Sequence, residues 1–191
     1  MLVMKFGGTS VNGADNMREV VRLVLESRGD DTETVVVVSA MAGTTDTLIN
    51  AARAAAMGKM AEWQEPLNAL AERHKKTAAA LTKNENERAA IFGFIDNTFM
   101  ELGAVLRSID VLSELTPRAL DRVASTGERL SAPLVSLAFR ERGLVSEPVE
   151  ACAGVVITDD HFGEATPDAV ATWYGVRTKL RPMLSQRGAR S

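Results

Sequence analysis

Two short apolar runs near the amino terminus enclose a stretch of apolar residues with helical spacing. The runs are Leu2–Phe6, which is apolar apart from Lys5, and the β-branched segment 34–39. Unbroken apolar runs of this length are typical of strands buried on both faces of a parallel sheet. Between them, Asn16 and Glu19 predict a helix N-cap with a reciprocal acid. The apolar stripe of this helix comprises Met17, Val20, Val21, Val24 and Leu25. Strand, helix and strand in so short a span predict a right-handed parallel unit.

The apolar spacing in residues 61–113 predicts an antiparallel helical hairpin inserted between sheet elements. A shorter helix is predicted before it, from about Thr45 to Met57. The apolar positions of the hairpin form two helical faces, which the polar residues 82–86 separate. They are Trp63, Leu67, Leu70, His74 and Leu81 on the first face and Ile91, Ile95, Phe99, Leu102, Leu106 and Ile109 on the second. His74 lies on the apolar stripe with no partner at metal-ligand spacing, which favours a core histidine.

The last third of the chain predicts three helices and two short strands. Thr116 and Pro117 open the first helix as N-cap and first residue, and the segment 125–128 interrupts it at a glycine. Short strands are predicted at 145–149 and 155–158. The segment 166–168 opens the last helix, which Gly188 is predicted to cap. The apolar faces are Leu130, Leu134, Leu137 and Ala138 in the second helix and Val170, Trp173, Leu180 and Leu184 in the last.

The first strand ends in a glycine pair flanked by a cation and two hydroxyls, which is typical of an anion-binding turn. Gly7 and Gly8 have no Cβ, so the backbone there is free to take positive φ and to bring N–H groups close to a phosphate. Lys5 supplies a full positive charge, and Thr9 and Ser10 supply hydroxyls. The alternative is a tight strand-to-helix turn with Lys5 extended to water. Spacing alone leaves both interpretations open.

The second strand repeats this arrangement and ends in the small, polar loop 39–46. Because parallel strands end at the same edge of a sheet, Ser39, Thr44 and Thr45 are candidate pocket hydroxyls beside the first loop. The alternative role is capping, with Thr44 or Thr45 as N-cap of the next helix. Glu128 follows the later glycine break directly, where an acidic side chain can point into a cleft. Its alternative is an ordinary favourable acid in the first turn of a helix.

Composition and charge narrow the class of protein. Of the 191 residues, 46% are apolar and 25% charged, as in ordinary globular domains. The net charge of −3 has no long run of one sign, so neither a nucleic acid nor a membrane is expected as a partner. The one cysteine, Cys152, rules out an internal disulfide and is predicted to be a buried, inert thiol in a cytoplasmic protein. No apolar run approaches membrane-spanning length, and the cluster 159–161 is predicted to be a solvated loop rather than a metal site.

Four segments together resemble the aspartokinases of the amino acid kinase superfamily. Residues 5–11 have the order K-F-G-G-T-S-V of the family signature. Residues 39–46 resemble its second loop, 125–131 its G-E segment and 160–165 its D-x-F-G-x-A loop. All four occur in the family's order and span nearly the whole chain. The resemblance implies a three-layer α/β/α sandwich with a mainly parallel sheet, incomplete on the carboxyl-terminal side, with the hairpin as an insertion.

The resemblance also implies transfer of the ATP γ-phosphoryl group to the β-carboxylate of L-aspartate, for lysine, threonine and methionine biosynthesis. Lys5 matches the family lysine that contacts the transferring phosphate, and the glycine pair 7–8 matches the backbone cradle. Ser39 and Thr45 match hydroxyls near the aspartate, and Glu128 matches the acid that pairs with its ammonium group. Mg-ATP is the implied cofactor of the complete enzyme, with no metal ligands assigned. A carboxylate with a pKa of about 4 is ionised at neutral pH, so the reaction requires no general base.

Two departures from the family pattern qualify this expectation. Some members carry an arginine in the D-x-F-G-x-A loop that clamps a substrate carboxylate, but Glu164 stands there and no arginine lies between Arg142 and Arg177. The family's G-R-G-G-S-D segment and its regulatory ACT domains have no counterpart in these residues. The chain is therefore expected to be the amino-terminal part of a catalytic domain, inactive by itself. Apolar surface left at the incomplete side is expected to favour homo-oligomers.

Two alternatives remain open at this stage. The first is another amino acid kinase, acting on glutamate or acetylglutamate. The second is a non-catalytic interaction module that keeps the fold and associates through its helical hairpin, because fold alone does not decide function.

Overall fold

A parallel pair of strands forms the sheet of the described structure. The computed structural model describes residues 1–29 and 32–185. Strands β1 (Leu2–Phe6) and β2 (Thr34–Val38) pair in parallel, with Phe6 opposite Val38, and helix α1 (Ala14–Ser27) connects them. The predicted parallel unit is confirmed. Its right-handed connection stays a prediction.

Helix α1 begins earlier than the capping pattern predicts. Its N-cap is Gly13, which has φ of 98° and makes no side-chain cap hydrogen bond. Positive φ of this size favours glycine, so Gly13 sets the start of the helix. Asn16 therefore lies inside the first turn, where its Nδ2 donates to the Thr9 carbonyl at 2.7 Å. The prediction of Asn16 as N-cap is wrong, and its side chain instead holds the preceding loop.

The predicted helical hairpin is confirmed. Helix α2 (Thr44–Ala56) precedes it, and the hairpin consists of α3 (Met60–Leu81) and α4 (Glu85–Leu112). Asn84 caps α4 by accepting hydrogen bonds from the backbone N–H groups of residues 86 and 87. Lys75 of α3 and Asp96 of α4 form an ion pair at 2.6 Å across the hairpin. Because only residues 82–84 connect them, the two helices pack as antiparallel neighbours.

Helix α4 corrects the expectation that no segment is long and apolar enough to cross a membrane. Its 28 residues have a window with a mean hydropathy of 1.4, the one such helix in the described part of the chain. Its buried residues include Ile95, Leu102 and Leu106. They pack against α2, α3 and α6 (Thr126–Arg140). A core helix can have the same length and composition, and 39% of this window is buried inside the described structure.

Helix α6 lies at the centre of the core. Helix α5 (Pro117–Ala124) precedes it, and the Thr116 hydroxyl caps α5 by accepting from Ala119 N at 3.2 Å, as predicted. Helix α5 ends at Ala124, and α6 begins after Ser125. Helix α6 contacts α1, α2, α3 and α4. The predicted inner face of α6 is confirmed, because these residues are buried: Leu130, Leu134, Leu137 and Ala138.

The region after α6 differs most from the sequence prediction. Residues 145–149 and 155–158 form no strands; only Thr158 pairs, in an isolated antiparallel bridge with Pro167. The N–H groups of residues 153, 155 and 156 bond instead to the carbonyls of Glu150 and Ala151, which makes a turn. A strand requires a neighbour that completes its hydrogen bonds along its length, and in the described structure this segment has only the single bridge to Pro167. Cys152 lies in this turn and is exposed, so the prediction of a buried thiol is wrong.

The last helix begins as predicted but is not regular. Asp168 caps α7 (Ala169–Gly175) by accepting from Ala171 N at 2.9 Å. A π-helical turn (Val176–Leu180) follows, and then α8 (Arg181–Ser185). On the predicted apolar side, Val170 and Trp173 are 79% and 58% exposed. The predicted cap at Gly188 lies outside the described residues.

His74 is a core histidine, as predicted. It is fully buried on α3, its Nδ1 lies 2.7 Å from the Leu70 carbonyl, and its ring meets Phe99 edge-on. Burial lowers the pKa of His74 below its ordinary value of 6.5, and the nearby charge of Arg73 lowers it further, against the Leu70 hydrogen bond. Nδ1–H donates to Leu70, and no partner for Nε2 is found among the described residues. The imidazole is therefore held neutral.

This burial makes folding stability depend on pH. The unfolded chain protonates His74 near pH 6.5, whereas the folded chain resists protonation, so its contribution is complete above pH 6.5 and is lost as the pH falls below that value. We expect the free energy of unfolding to drop by up to about 1.4 kcal/mol per pH unit from this group. Urea titrations between about pH 5 and pH 7 measure the slope, which should be smaller in His74→Leu. Equal slopes in the two proteins would contradict a buried, neutral His74.

Candidate active site

The two parallel strands bring their following loops together at one edge of the sheet. Loop 1 comprises residues 7–13 and loop 2 comprises residues 39–43. The backbone pairing continues past the strands, because Ser39 N donates to the Phe6 carbonyl at 3.1 Å and Ala42 N to the Gly8 carbonyl at 3.2 Å. The adjacency that the sequence predicts for these loops is therefore present.

The two glycines of the pair have different surroundings. A Cβ on Gly8 would lie 2.7 Å from the Ala40 carbonyl oxygen, closer than real Cβ contacts allow. A Cβ on Gly7 would meet nothing within 4 Å. Neither glycine has the positive φ that the sequence led us to expect, which occurs instead at Gly13 and Gly43. Gly8 thus permits close packing of the two loops, and Gly7 borders open space beside them.

The amino end of α6 packs against loop 2 at Ala40, where Gly8 of loop 1 also packs. A Cβ on Gly127 would lie 2.6 Å from the Cβ of Ala40 and 3.2 Å from Cγ2 of Thr44. The next residue, Glu128, accepts a hydrogen bond from Ala40 N through Oε1 at 3.3 Å. Glu128 is otherwise exposed, whereas Ala40 is only 4% exposed. Loop 1, loop 2 and a carboxylate therefore meet around Ala40.

The remaining candidate residues lie on β1 and in the two loops and differ in their exposure. Lys5 is exposed on β1, opposite Val37 in the register, and has no ion-pair partner among residues 1–29 and 32–185. The hydroxyl residues of loop 1, Thr9 and Ser10, are exposed, and Ser39 at the start of loop 2 is half-buried. The structure thus places a cation, hydroxyls and a carboxylate at one edge of the sheet.

The capping role considered for the threonines of α2 is not observed. Gly43 is the N-cap, in a left-handed conformation with φ of 76°, and makes no side-chain cap hydrogen bond. Thr45 is half-buried in the first turn of the helix. Thr44 is fully buried, and no partner of its hydroxyl is found in the described part of the chain. Because neither threonine caps α2 through its side chain, the hydroxyl of Thr45 is not committed to that role.

Sequence reasoning missed one cation at the loops, Arg73 of α3. Its Nη2 donates to the side-chain oxygen of Asn12 in loop 1 and, at 3.0 Å, to the carbonyl of Ala42 in loop 2. These partners lie 61 and 31 residues away along the chain. No local pattern reveals such contacts; the only signal is a charged residue directly beside the apolar stripe at His74.

The segment 159–165 is tied to α5 rather than arranged around a metal. Asp159 Oδ1 accepts from the backbone N–H groups of His161 and Thr166 at 3.1 and 3.0 Å. Asp121 of α5 accepts from Gly163 N at 2.8 Å. No cluster of three or more metal-ligating side chains is found among the residues that the structure describes. Asp159 therefore holds the turn of this loop, and Asp121 anchors the loop to α5.

A family model decides the identity of this fold. The model described as Amino acid kinase family matches residues 1–186. The chain belongs to the amino acid kinase family. Within this family its curated relatives include aspartokinases, which confirms the resemblance inferred from the four segments. The fold class is also confirmed, as a helix-rich α/β fold of the amino acid kinase type whose parallel sheet is not closed in the described residues.

Curated relatives of this member of the amino acid kinase family include plant aspartokinases. Aspartokinase 2, chloroplastic, of Arabidopsis thaliana is 33% identical over 165 residues, covering 85% of this chain and 29% of that protein. Aspartokinase 3, chloroplastic, of the same plant is 34% identical over 181 residues, covering 93% of this chain and 30% of that protein. The chain therefore spans less than a third of the length of these two relatives.

A solved structure gives the same picture. Aspartokinase III of E. coli in complex with aspartate and ADP matches with a TM-score of 0.84 and 28% identity. The match covers 97% of this chain and 39% of that one. The same protein in complex with lysine and aspartate matches with a TM-score of 0.83. Nearly all of this chain thus has a counterpart in an aspartokinase fold.

Proposed function

We propose that this chain supplies the substrate and phosphate loops of a kinase that phosphorylates the β-carboxylate of L-aspartate with ATP. The observation that carries the proposal is the position of Glu128, whose carboxylate accepts from Ala40 N of loop 2, 3.3 Å away, where Gly8 of loop 1 packs against Ala40. A carboxylate at this point suits the ammonium group of an amino acid. Membership of the amino acid kinase family supports phosphoryl transfer, and the aspartokinase relatives support aspartate as acceptor.

The chemistry requires positioning and charge neutralisation more than proton transfer. The β-carboxylate of aspartate, with a pKa of about 4, is an ionised nucleophile at neutral pH. Lys5 and the glycine pair of loop 1 are assigned to stabilising the charge that spreads over the transferring phosphoryl group. Ser39 and Thr45 are assigned to hydrogen bonds with the substrate. Mg²⁺ would enter bound to the ATP phosphates and neutralise their charge.

Binding of L-aspartate tests this proposal directly. We expect Glu128→Gln to weaken L-aspartate binding by about tenfold or more, because the charge-assisted hydrogen bond to the ammonium group is lost. Glutamine keeps an oxygen that accepts from Ala40 N, so the loops should stay in place. Isothermal titration calorimetry measures the affinity. Glu65→Gln, a change at an exposed acid of α3, is the matched control and should bind like the wild type.

N-Acetyl-L-aspartate sharpens the same experiment because it has no ammonium group. Its affinity should be the same for the wild type and Glu128→Gln. Equal binding of L-aspartate by both proteins, or none by the wild type, would count against the proposed site. Tighter binding of L-glutamate or N-acetyl-L-glutamate than of L-aspartate would favour the other amino acid kinases.

We also propose that these 191 residues alone have negligible kinase activity. They cover 39% of the E. coli aspartokinase III chain, and they lack the G-R-G-G-S-D segment of the resemblance. We expect no aspartate-dependent ADP release above background in a coupled assay with Mg-ATP. A complete aspartokinase serves as the positive control, and reproducible turnover by the pure 191-residue protein would refute this prediction.

A further inference from the structure

We propose that Arg73 is a positioning residue that fixes loop 1 against loop 2, and so gives the inserted hairpin a role in the candidate site. The inference rests on the proposed function, since it concerns the arrangement of the same two loops. One guanidinium nitrogen, Nη2, donates both to the Asn12 side chain and to the Ala42 carbonyl, the latter at 3.0 Å. Arg73 therefore links α3 to both loops at once.

The helix that carries Arg73 is itself firmly held. Its neighbours Leu70 and His74 are buried, and the Thr77 hydroxyl donates to the Arg73 carbonyl at 3.0 Å. The same hydroxyl lies 3.9 Å from the sulfur of Met41, a second contact between α3 and loop 2. Arg73 is half-buried and its guanidinium bonds to both loops, so the side chain is partly confined between α3 and the loops.

One acceptor of Arg73, Ala42, lies in the part of loop 2 that is hydrogen-bonded to loop 1 and to Glu128. Ala42 also donates its N–H to the Gly8 carbonyl at 3.2 Å, and Ala40, two residues earlier, donates to Glu128 at 3.3 Å. The Ala42 carbonyl and N–H thus hold loop 2 between the hairpin and loop 1. A shift of loop 2 would change the distance between the phosphate side, at Gly8, and the carboxylate side, at Glu128. Phosphoryl transfer is sensitive to displacements of about 1 Å between its reacting groups.

An arginine suits this role better than a lysine. The planar guanidinium presents several donors in a fixed geometry, so one nitrogen can serve two acceptors on different loops. A lysine ammonium is a single point charge on a flexible stem and would hold one loop more readily than two. Arg73→Lys should therefore keep part of the contact between the hairpin and the two loops, whereas Arg73→Met should keep none of it.

Amide hydrogen exchange measured by NMR tests the positioning role without requiring a ligand. We expect Arg73→Met to raise the exchange rates of the Ala40 and Ala42 amides by about tenfold or more, while the buried α6 amides of Leu134 and Leu137 change by less than about twofold. Arg73→Lys should give intermediate rates. Arg53→Met, at an exposed arginine near the far end of α2, is the matched control and should change neither group.

The outcomes separate this inference from the proposed function. Unchanged exchange at Ala40 and Ala42, or an equal rise at all four amides, would overturn the positioning role, since the second result indicates a general loss of stability. Where the loops do loosen, calorimetry should show L-aspartate affinity falling by about tenfold in Arg73→Met. Loosened loops with unchanged affinity would also overturn it. If the wild type binds no aspartate, the substrate proposal fails, and the exchange data alone decide the role of Arg73.

Discussion

Replacing Gly8 with alanine is expected to lower the free energy of unfolding by about 1–3 kcal/mol, the usual cost of overpacking. The added Cβ would lie 2.7 Å from the Ala40 carbonyl oxygen, which is backbone and cannot rotate away. Loop 2 would have to move, and with it the hydrogen bond from Ala42 N to the Gly8 carbonyl. The conformation of Gly8 itself is no obstacle, because its φ is not in the left-handed region.

Gly7→Ala is the matched control for this prediction. It adds the same methyl group one residue earlier, where nothing lies within 4 Å and φ is also not left-handed. We expect its stability to stay level or to rise by up to about 1 kcal/mol, because alanine restricts the unfolded chain. Urea unfolding of the two variants and the wild type measures the difference. Equal stabilities of Gly7→Ala and Gly8→Ala would contradict the close packing of loop 1 on loop 2.

The helices and strands around the site were predictable where the signal is local. The hairpin expected at 61–113 occupies residues 60–112, apart from its short connection, because a sustained apolar periodicity fixes which face is buried. The start of α1 was missed for a local reason of another kind. Asn16 and Glu19 satisfy the spacing of a capping box, but the backbone at Gly13 already takes the positive φ that begins the helix.

The strands expected at 145–149 and 155–158 show the limit of local patterns. A run of β-branched residues indicates only that a segment has a high strand propensity. Whether the segment joins a sheet depends on a neighbouring strand. In the described structure, β1 and β2 form a two-stranded sheet, residues 145–149 form no regular element, and residues 150–156 fold into a turn. The exposure of Cys152 has the same origin, because a turn does not bury its side chains as a strand would.

The candidate site was predictable to the extent that it follows from strand ends. Loops 1 and 2 must meet if β1 and β2 are parallel neighbours, and the resemblance carried by the four segments implies a role for Glu128. Arg73 was not predictable, because its two acceptors lie on other elements, 61 and 31 residues away. Contacts of this kind depend on how α3 packs, which periodicity does not specify.

Gly127→Ala should also destabilise the protein, although the same change usually stabilises a helix. Alanine has a higher helix propensity than glycine, by about 1 kcal/mol. At Gly127, however, the new Cβ would lie 2.6 Å from the Cβ of Ala40 and 3.2 Å from Thr44 Cγ2. The overpacking cost of about 1–3 kcal/mol opposes this gain in propensity, so we expect a net loss of up to about 2 kcal/mol. The sign of the effect thus reports how closely α6 approaches loop 2.

A second glycine and a compensating change make this prediction sharp. Gly93 lies in α4 with nothing within 4 Å of an added Cβ, so Gly93→Ala should stabilise the protein by up to about 1 kcal/mol. Ala40→Gly removes the Cβ that Gly127→Ala would meet. The double variant Gly127→Ala/Ala40→Gly should therefore lose less stability than the sum of the losses in the two single variants. Urea unfolding of the wild type, the two single variants and the double variant measures this difference. Strict additivity would mean that these positions are not in contact. A coupling energy between the two changes would show that α6, which carries Glu128, packs on loop 2 so closely that no additional methyl group fits between Gly127 and Ala40.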